Sequence, residues 1–466
     1  MSTVTDSQIF RNIFSTPESS TIWSDRTRTQ YYLKFEAALA KVQARLGVIP
    51  EEAAKAIIEK CDFELIDMEE LGRETERIGY PVLPVVKQVV GMVNERVPGG
   101  GWGAWAHGGA TTQDVTDTAT VLQLRDTCDL VSKALDEIIS VLEKAAQKYA
   151  STPMAARSNL QQAVPITFGF KLARLLATFK RHKQRLSEIL PRLLVLEFGG
   201  AAGTLATLTD TSSTNANAVA LQVQEHLAQE LDLSTPEIAW HTERDRICEI
   251  GSFFALLTGT CSKFAFDIKL LMQTEVGEVY EPFYPNRGSS STMPQKRNPI
   301  GSVYITAMSS TVRHLSAALL DAMVEVHERS TGPWEVEWIV LPQMATMTHA
   351  CLRWTLEVVK GMEVDSGRMK ENLEVTKGLV VSEAVMMGVG KVVGRQVAHD
   401  LVYGLCRKAV REGRTLLEVL LEDEEVRKTG IEKEELERLC DPENYLGLSE
   451  EMVRRVVEDK GPEKKK

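Results

Sequence analysis

Hydrophobic residues recur at helical spacing along most of this chain. In the N-terminal part Tyr32, Phe35, Leu39, Val42 and Leu46 follow one another at intervals of three or four residues, so they form one apolar stripe on a helix. The same spacing predicts longer helices at about residues 115–149, 165–190, 214–231, 244–278 and 300–326. No segment shows the regular alternation of polar and apolar residues that is typical of a β-strand.

Several of these predicted helices exceed about 25 residues, which favours an all-α fold with a central bundle of long helices. A smaller helical domain precedes the bundle, because the pattern up to about residue 98 consists of shorter helices. Long helices in a single chain leave apolar faces uncovered. The pattern therefore also predicts self-association.

Composition narrows the class of protein. Of the 466 residues 43% are hydrophobic and 26% are charged, as is usual for a globular protein. We expect no membrane partner and a cytoplasmic location, because there is no apolar run of about 18 residues and the N-terminus does not resemble a signal peptide. The net charge of −11 argues against a nucleic-acid partner, and an anionic substrate would need a local group of cations.

The sequence gives no sign of a cofactor or a metal. The seven cysteines are scattered and include no C-x-x-C pair, so we expect reduced thiols rather than disulfides or zinc ligands. No dinucleotide-binding glycine pattern, P-loop or H-E-x-x-H motif is present. We therefore expect a reaction that needs no cofactor.

The most informative segment is Gly288–Pro299, with the sequence Gly-Ser-Ser-Ser-Thr-Met-Pro-Gln-Lys-Arg-Asn-Pro. Its first half is small and hydroxylated, which predicts a mobile backbone, whereas Pro294 and Pro299 stiffen the second half. Lys296 and Asn298 can bind carboxylates beside a loop that is able to close. A polar surface linker is the other interpretation, but prolines next to a Lys-x-Asn pair are unusual in linkers.

This segment resembles the signature loop of the fumarase/aspartase superfamily. The resemblance implies that Ser291 is the catalytic base and that Lys296 and Asn298 bind substrate carboxylates. It extends over nearly the whole chain and implies a homotetramer whose active sites each take residues from three subunits. It also implies three mainly helical domains: an N-terminal domain over residues 1–110, the central bundle with the signature loop over 111–355, and a C-terminal domain over 356–466.

Residues 99–114 form a second candidate region, rich in glycine and hydroxyl groups. Glycine lets the backbone approach a ligand closely, and Thr111 and Thr112 offer donors to an oxygen-rich one. From the residues alone, a glycine-rich connector with a merely hydrogen-bonded His107 is equally compatible. The segment resembles the first signature region of the superfamily, with Thr112 in place of the usual serine. This makes Thr111 and Thr112 candidate substrate-binding residues and His107 a second catalytic candidate.

The polar segment Arg157–Ala163 resembles the second signature region. Asn159 stands where the adenylosuccinate lyases of the superfamily have a histidine that acts as general acid. Asparagine does not titrate in the useful range, so this difference argues against adenylosuccinate cleavage. Asn159 and Gln161 are candidate substrate-binding residues, and a turn-forming or capping amide is the alternative for Asn159.

Two further segments complete the candidate site. Arg244 lies in a charged group before an apolar helix and by resemblance contacts substrate, whereas a capped, solvated helix start is the plain interpretation. Arg329 is a candidate carboxylate ligand in the segment that leads to Trp334 and Trp338. The simplest interpretation is that the two tryptophans pack in the core and that the acids between them are solvated. The pattern Gly-Pro-Trp-x-x-Glu-Trp also resembles the 3-carboxy-cis,cis-muconate cycloisomerase branch (class II type) of the superfamily.

The resulting hypothesis is a cycloisomerase-like enzyme that acts on an unsaturated di- or tricarboxylate by serine-based addition or elimination through an aci-carboxylate intermediate. Three alternatives stay open. The first is a decarboxylase that acts on trans-aconitate, and the second is a lyase that releases fumarate from adenylosuccinate or argininosuccinate. The third is a catalytically inactive structural homologue, against which the joint presence of Ser291, Lys296 and Asn298 argues.

Overall fold

The computed structural model describes residues 3–96, 101–209 and 216–459. Gly99 and Gly100 of the glycine-rich region, and residues 214 and 215 of one predicted helix, lie outside these ranges. Helices dominate the described residues, which confirms the all-α class. No helix among them is both long and apolar enough to cross a membrane.

The helices before the first hairpin are α1 Arg11–Phe14, α2 Pro17–Ile22, α3 Asp25–Arg45, α4 Glu51–Lys60, α5 Met68–Ile78, α6 Val82–Arg96 and α7 Thr112–Lys148. The central helices are α8 Phe168–Leu193, α9 Ala206–Thr209, α10 Ala216–Glu230, α11 Asp245–Leu271, α12 Ile300–Asp321 and α13 Pro333–Gly361. The C-terminal helices are α14 Ser366–Glu374, α15 Ser382–Val393, α16 Arg395–Glu412, α17 Leu416–Glu422, α18 Glu424–Lys428, α19 Lys433–Cys440 and α20 Ser449–Glu458.

Four short strands form two separate antiparallel pairs in the described residues. β1 Pro153–Ser158 pairs with β2 Gln161–Thr167, and β3 Val279–Tyr280 pairs with β4 Glu363–Val364. The expectation that the chain has no strand was therefore wrong at these places. The predicted helix start at Pro165 was also wrong, because Pro165 lies within β2 and the helix begins at Phe168.

The chain groups into two compact units, each made of three segments. The first unit lies within residues 1–134, 183–259 and 307–353, and the second within 135–182, 260–306 and 354–466. These segments alternate along the chain. The division into domains at 1–110, 111–355 and 356–466 is a different partition and stays a prediction.

Each unit has an apolar core that its own helices supply. In the first unit one cluster joins the predicted stripe of α3 to α4, α6 and α10; it includes the fully buried Phe35, Val42, Ile57, Val85 and Val223. In the second unit a C-terminal cluster joins α15, α16 and α17, and Val385, Val389, Leu416, Val419 and Leu420 have no exposed surface. Burial of large aliphatic side chains at this level is the main stabilising contribution in each unit.

Candidate functional site

The signature loop connects β3 to α12 within the second unit, and its two ends are tied together. The carbonyl oxygen of Gly288 accepts hydrogen bonds from the backbone N–H of Asn298 at 3.0 Å and from its side-chain Nδ2 at 2.8 Å. Gly288 has φ +67°, and a Cβ there would lie 2.4 Å from the carbonyl oxygen of Asn298. Only glycine fits this position, because a side chain would force the loop base apart.

Arg297 anchors the second half of the loop. Its Nη1 lies 3.1 Å from Oε2 of Glu363 in β4, and its guanidinium stacks 5.3 Å from the ring centre of Phe283. The hydrogen bond and charge of Arg297 hold the pKa of Glu363 below its usual value. Arg297 thus fixes the loop base, which leaves Lys296 as the loop cation that is open to a ligand.

The tip of the loop is open to solvent. Ser290 Oγ accepts hydrogen bonds from the backbone N–H groups of Thr292 and Met293, at 3.3 and 3.1 Å. Ser291 and Lys296 are exposed, and neither side chain has a hydrogen bond or ion pair within the described part of the chain. Their predicted catalytic and carboxylate-binding roles therefore remain predictions on an accessible loop.

Asn159 and Gln161 lie at the end of the β1–β2 hairpin, also in the second unit. Asn159 and Leu160 form its two-residue turn with φ values of +51° and +63°, so Asn159 is a turn residue as one interpretation expected. Gln161 is exposed at the first position of β2. Both amides are accessible, and their proposed contact with substrate stays a prediction.

The base of this hairpin is held by a buried carboxylate. Arg157 donates hydrogen bonds to both oxygens of Glu278, which is fully buried, and Asn372 Nδ2 donates to Glu278 Oε1 at 2.8 Å. Gln162 Nε2 donates to the carbonyl oxygen of Asn372 at 2.7 Å. Arg157 and Gln162 thus anchor the hairpin, whereas Asn159 and Gln161 are exposed at its end.

In the first unit Asp114 organises the region around Thr111. Its Oδ2 accepts hydrogen bonds from the backbone N–H groups of Thr111 at 2.9 Å and Gly200 at 3.0 Å, and its Oδ1 accepts one from Gly199 at 3.1 Å. His241 Nε2 lies 2.6 Å from the same Oδ1. Asp114 therefore joins the predicted Thr111–Thr112 site to the glycine loop that follows Phe198.

Glu197 lies near the same nitrogen of His241, with its Oε1 3.2 Å from Nε2. Burial, with the Asp114 and Asp117 carboxylates nearby, raises the pKa of Glu197 to about 9, so this carboxyl group is neutral near pH 7. A metal site needs several His, Cys, Asp or Glu side chains close together. Within the described ranges, the one such group is Asp114, Glu197 and His241, whose possible ligand atoms all lie within 4.8 Å of one another. The 2.6 Å contact between His241 and Asp114 leaves no space for an ion between them, so the group does not fit a metal in this arrangement.

His107 contacts a carboxylate that the sequence motifs did not indicate. Its Nδ1 lies 2.6 Å from Oε1 of Glu36, a buried residue of α3. Burial alone lowers the pKa of His107, but the charge and hydrogen bond of Glu36 and the charge of Asp114 raise it above its usual value. The alternative of a merely hydrogen-bonded His107 thus has a specific partner in Glu36, and the catalytic role of His107 stays a prediction.

Arg244 is fully buried in the first unit. Its guanidinium donates to Asp117 at 2.8 and 3.0 Å and to Glu337 at 2.9 and 2.6 Å. A substrate could reach Arg244 only if these ion pairs opened, so the structure gives it a supporting role instead of the predicted substrate contact. Glu337 is buried as well, which corrects the expectation that the acids between the tryptophans are solvated.

The remaining candidates lie close to these groups in the same unit. Arg329 Nη2 donates to the carbonyl oxygen of Gly200 at 2.6 Å. Trp334 is a core anchor, as one interpretation expected: it is 4% exposed, and its Nε1 donates to Asp117 Oδ1 at 3.0 Å. Trp338 packs edge-on against Trp334, with their ring centres 4.8 Å apart.

The structure thus places the candidate residues in two groups, one in each unit. The first unit holds His107, Thr111, Thr112, Arg244 and Arg329, and the second holds Asn159, Gln161, Ser291, Lys296 and Asn298. Glu36 and Asp114 were missed as supporting residues. Asp114 follows the Thr-Thr-Gln motif directly and could have been noticed, whereas nothing in the sequence connects Glu36 with His107.

A mainly helical chain with an exposed, serine-bearing loop agrees with the resemblance to the fumarase/aspartase superfamily. A family model described as "Lyase" matches residues 13–313, and a second, "Adenylosuccinate lyase C-terminus", matches residues 378–456. The chain therefore belongs to this lyase family of the fumarase/aspartase superfamily, and it is an enzyme of the lyase and isomerase type.

Individual relatives support the same assignment. The chain is 54% identical to trans-aconitate decarboxylase 1 of Mycosarcoma maydis over 96% of this chain and 88% of that one. It is 42% identical to 3-carboxy-cis,cis-muconate cycloisomerase of Pseudomonas aeruginosa over 98% and 97% of the two chains. The crystal structure of 3-carboxy-cis,cis-muconate lactonizing enzyme from Pseudomonas putida superposes with a TM-score of 0.89, at 42% identity and 97% and 98% coverage.

Proposed function

We propose that this enzyme acts on an unsaturated tricarboxylate and that decarboxylation of trans-aconitate is its reaction. The observation that carries this proposal is the 54% identity to the Mycosarcoma maydis decarboxylase over 96% of this chain. The exposed loop that carries Ser291 and the cation Lys296 is chemically suited to such a substrate. This order differs from the sequence-based hypothesis, which placed the cycloisomerase reaction first.

The chemistry requires a stabilised carbanion next to a carboxylate. The carbon–carbon bond to the carboxylate on the methylene group breaks, and carbon dioxide leaves. The electron pair spreads over the allylic carbons, the double bond shifts, and the carbon beside a remaining carboxylate takes one proton. The product is an unsaturated dicarboxylate. The intermediate has aci-carboxylate character, so hydrogen-bond donors and cations placed around that carboxylate lower the barrier.

Each candidate residue has a role in this scheme. The hydroxyl of Ser291 donates the proton to carbon and is protonated again from solvent, and Lys296 and Asn298 bind the carboxylate that gains charge. Thr111, Thr112, Asn159, Gln161 and Arg329 hold the remaining oxygen atoms, and His107 supplies a further donor. Arg244 supports the site through Asp117 and Glu337 without touching the substrate.

We also propose a cytoplasmic homotetramer with shared active sites. The candidate residues come from segments that are far apart in the chain, as expected when several subunits complete one site. Exposed apolar side chains on α11 and α12, among them Leu256, Phe266 and Val303, are the kind of surface that association covers.

The second candidate reaction is lactonisation of 3-carboxy-cis,cis-muconate, which the 42% identity to the Pseudomonas aeruginosa cycloisomerase favours. Here a substrate carboxylate adds to an alkene, a carbon–oxygen bond forms, and the carbon beside another carboxylate takes the proton. The same stabilised intermediate occurs in both reactions. The two differ in whether carbon dioxide is released and in whether a ring forms.

The test is turnover of a panel of unsaturated polycarboxylates, with carbon dioxide release and loss of alkene absorbance measured in parallel. Release from trans-aconitate supports the first reaction, and loss of diene absorbance without carbon dioxide supports the second. Absence of turnover with every panel member would contradict both proposals.

Ser291→Ala tests the catalytic role of the loop. We expect it to reduce kcat by at least about 100-fold while the assembly stays intact, because it removes the group that donates the proton. Ser290→Ala is the matched control: it loses hydrogen bonds inside the loop and should keep most turnover. Equal activity of Ser291→Ala and the unmodified enzyme would rule out the proposed role.

A further inference from the structure

We propose that Glu36 is a positioning residue that keeps His107 in its charged form, so that the imidazolium donates a hydrogen bond from Nε2 to a substrate carboxylate. The inference rests on the proposed function and adds to it a residue of α3 that lies 71 positions before His107 in the chain. Glu36 acts through His107 and has no direct contact with the substrate.

The geometry fixes which ring nitrogen is available. Nδ1 of His107 lies 2.6 Å from Oε1 of Glu36, and the side chains are 23% and 3% exposed. The opposite nitrogen, Nε2, has no hydrogen-bond partner within the described part of the chain. The buried side of the ring is therefore occupied by Glu36, and the accessible side is left for a ligand.

The charge of the pair follows from its burial. A buried carboxylate is stable only with a compensating cation or several donors. Glu36 Oε2 has no hydrogen-bond partner, and His107 is the one ion-pair partner of Glu36 among the described residues. A proton on His107 supplies the compensation and turns Nε2 into a charged donor.

The same face of α3 also holds the backbone next to the ring. Gln43, two helical turns after Glu36, donates from Nε2 to the carbonyl oxygen of Gly108 at 2.7 Å. His107 itself has φ +60°, a left-handed conformation that a non-glycine residue adopts only when its surroundings impose it. Two buried polar residues of one helix therefore determine where the imidazole lies.

The charges that act on His107 come from two elements, α3 and α7. Glu36 on α3 and Asp114 on α7 both raise the pKa of His107, against the lowering effect of burial. Cys61, which follows α4, lies near Glu36, and burial together with that carboxylate raises the pKa of its thiol, so it stays neutral. Glu36→Gln removes the charge of one neighbour, keeps an amide oxygen that can accept a neutral hydrogen bond from Nδ1, and leaves the burial unchanged.

The first measurement needs no substrate. Exchange of the imidazole C2 hydrogen with deuterium, followed by mass spectrometry of the peptide that contains His107, gives the pKa of this histidine. We expect a pKa above about 6.5 in the unmodified enzyme and a decrease in Glu36→Gln. Glu230→Gln is the control, because it removes an ion pair with Lys41 on the same helix and should leave His107 unchanged.

The second measurement is the pH dependence of kcat/KM on the substrate that the panel identifies. The limb on the alkaline side should move to lower pH in Glu36→Gln, and activity above the new pKa should fall by about 10- to 100-fold, as expected for one charge-assisted hydrogen bond. His107→Gln should be weakly active and lack this limb. If Glu36→Gln does not fold, the pH profile of His107→Gln tests whether the charge of His107 produces the alkaline limb.

The outcomes separate this inference from the proposed function. An unchanged His107 pKa in Glu36→Gln overturns the role of Glu36, whichever substrate is found. A lowered pKa with an unmoved alkaline limb overturns the role of His107 toward the substrate. Absence of turnover with the whole panel contradicts the proposed function, and the substrate-free titration still decides whether Glu36 controls His107.

Discussion

At the scale of single residues, one group of buried charges in the first unit is arranged around Arg244. Two carboxylates, Asp117 and Glu337, each accept two of its hydrogen bonds, and Trp334 donates a further one to Asp117. Such a group is stable because every charge has a partner, and removal of one member leaves the others uncompensated. Arg244 therefore connects α7, α11 and α13 within this unit.

Arg244→Gln should destabilise the first unit by about 3–5 kcal/mol, because Asp117 and Glu337 would remain buried without a cation. Thermal unfolding and the yield of folded protein measure this loss. Arg246→Gln, two positions later in the first turn of α11, alters a half-buried arginine that donates one hydrogen bond to the carbonyl oxygen of Arg192, and should cost at most about 1.5 kcal/mol. Similar unfolding temperatures for the two variants would contradict the structural role of Arg244.

Glu197 makes the stability of the fold depend on pH. Its pKa of about 9 in the folded state lies above the ordinary value of 4.5, so between these values the folded state holds a proton that the unfolded state has released. The stabilisation is complete below the ordinary pKa and is lost as pH rises towards 9, by at most about 1.4 kcal/mol per pH unit.

Glu197→Gln should therefore flatten this dependence. The unfolding temperature of the unmodified protein should fall between about pH 6 and about pH 8.5, and that of the variant should fall less, because a glutamine has no proton to lose. Glu225→Gln, on the exposed side of α10, is the control and should follow the unmodified protein. Parallel curves for Glu197→Gln and the unmodified protein would show that Glu197 does not titrate in this range.

At the scale of elements, the β1–β2 hairpin presents Asn159, Leu160 and Gln161 at its end. Leu160 has φ +63°, a conformation that is unfavourable for a leucine. Its side chain is 76% exposed, so burial does not offset this strain. Two-residue turns of this kind favour Asn-Gly over Asn-Leu. Strained exposed residues of this type concentrate at functional positions, which agrees with the predicted role of the neighbouring amides.

Leu160→Gly should stabilise the second unit by about 1 kcal/mol, since the turn loses its strain and no buried contact is removed. Leu221→Gly in α10 changes a leucine of similar exposure, 61%, in a helix and should be destabilising by about 1 kcal/mol. Differential scanning calorimetry checks both signs. A decrease in stability for Leu160→Gly would mean that the leucine makes a contact, for example in the assembly.

The sequence predicted the helices well because their apolar stripes are long. The helix expected at 115–149 is Thr112–Lys148, and the one expected from 244 begins at Asp245. The hairpin escaped notice because its turn lacks glycine and Pro165 suggested a helix start. The signature loop could be recognised because its features lie in one short run of consecutive residues. The partner of His107 could not, because contacts between α3 and a distant loop depend on packing that no spacing encodes.

At the scale of the whole molecule, the proposed tetramer would let candidate residues of different chains contribute to one active site. Four chains of 51.8 kDa would form a particle of about 207 kDa, which light scattering can measure. Apolar side chains that are exposed in the single chain would then be covered. A monomer of unchanged activity would contradict the shared sites.

Mixed tetramers provide a sharper test of shared sites. Ser291→Ala chains should be nearly inactive alone, and His107→Gln chains should be only weakly active alone. If the two residues of one site come from different chains, random reassembly of the two variants restores about a quarter of the sites. Recovery of activity after joint refolding, compared with each variant refolded alone, measures this. No recovery in confirmed mixed particles would place both residues of a site on one chain.

The tied base of the signature loop has a consequence for how the enzyme can diversify. Gly288, Asn298 and Arg297 hold the twelve-residue segment at its root, and the six residues from Ser290 to Gln295 project from that root. Sequence changes in these six positions do not alter the root. Substitutions among the projecting residues other than Ser291 can therefore change which substrates are accepted, while the root of the loop and the proposed catalytic hydroxyl are preserved.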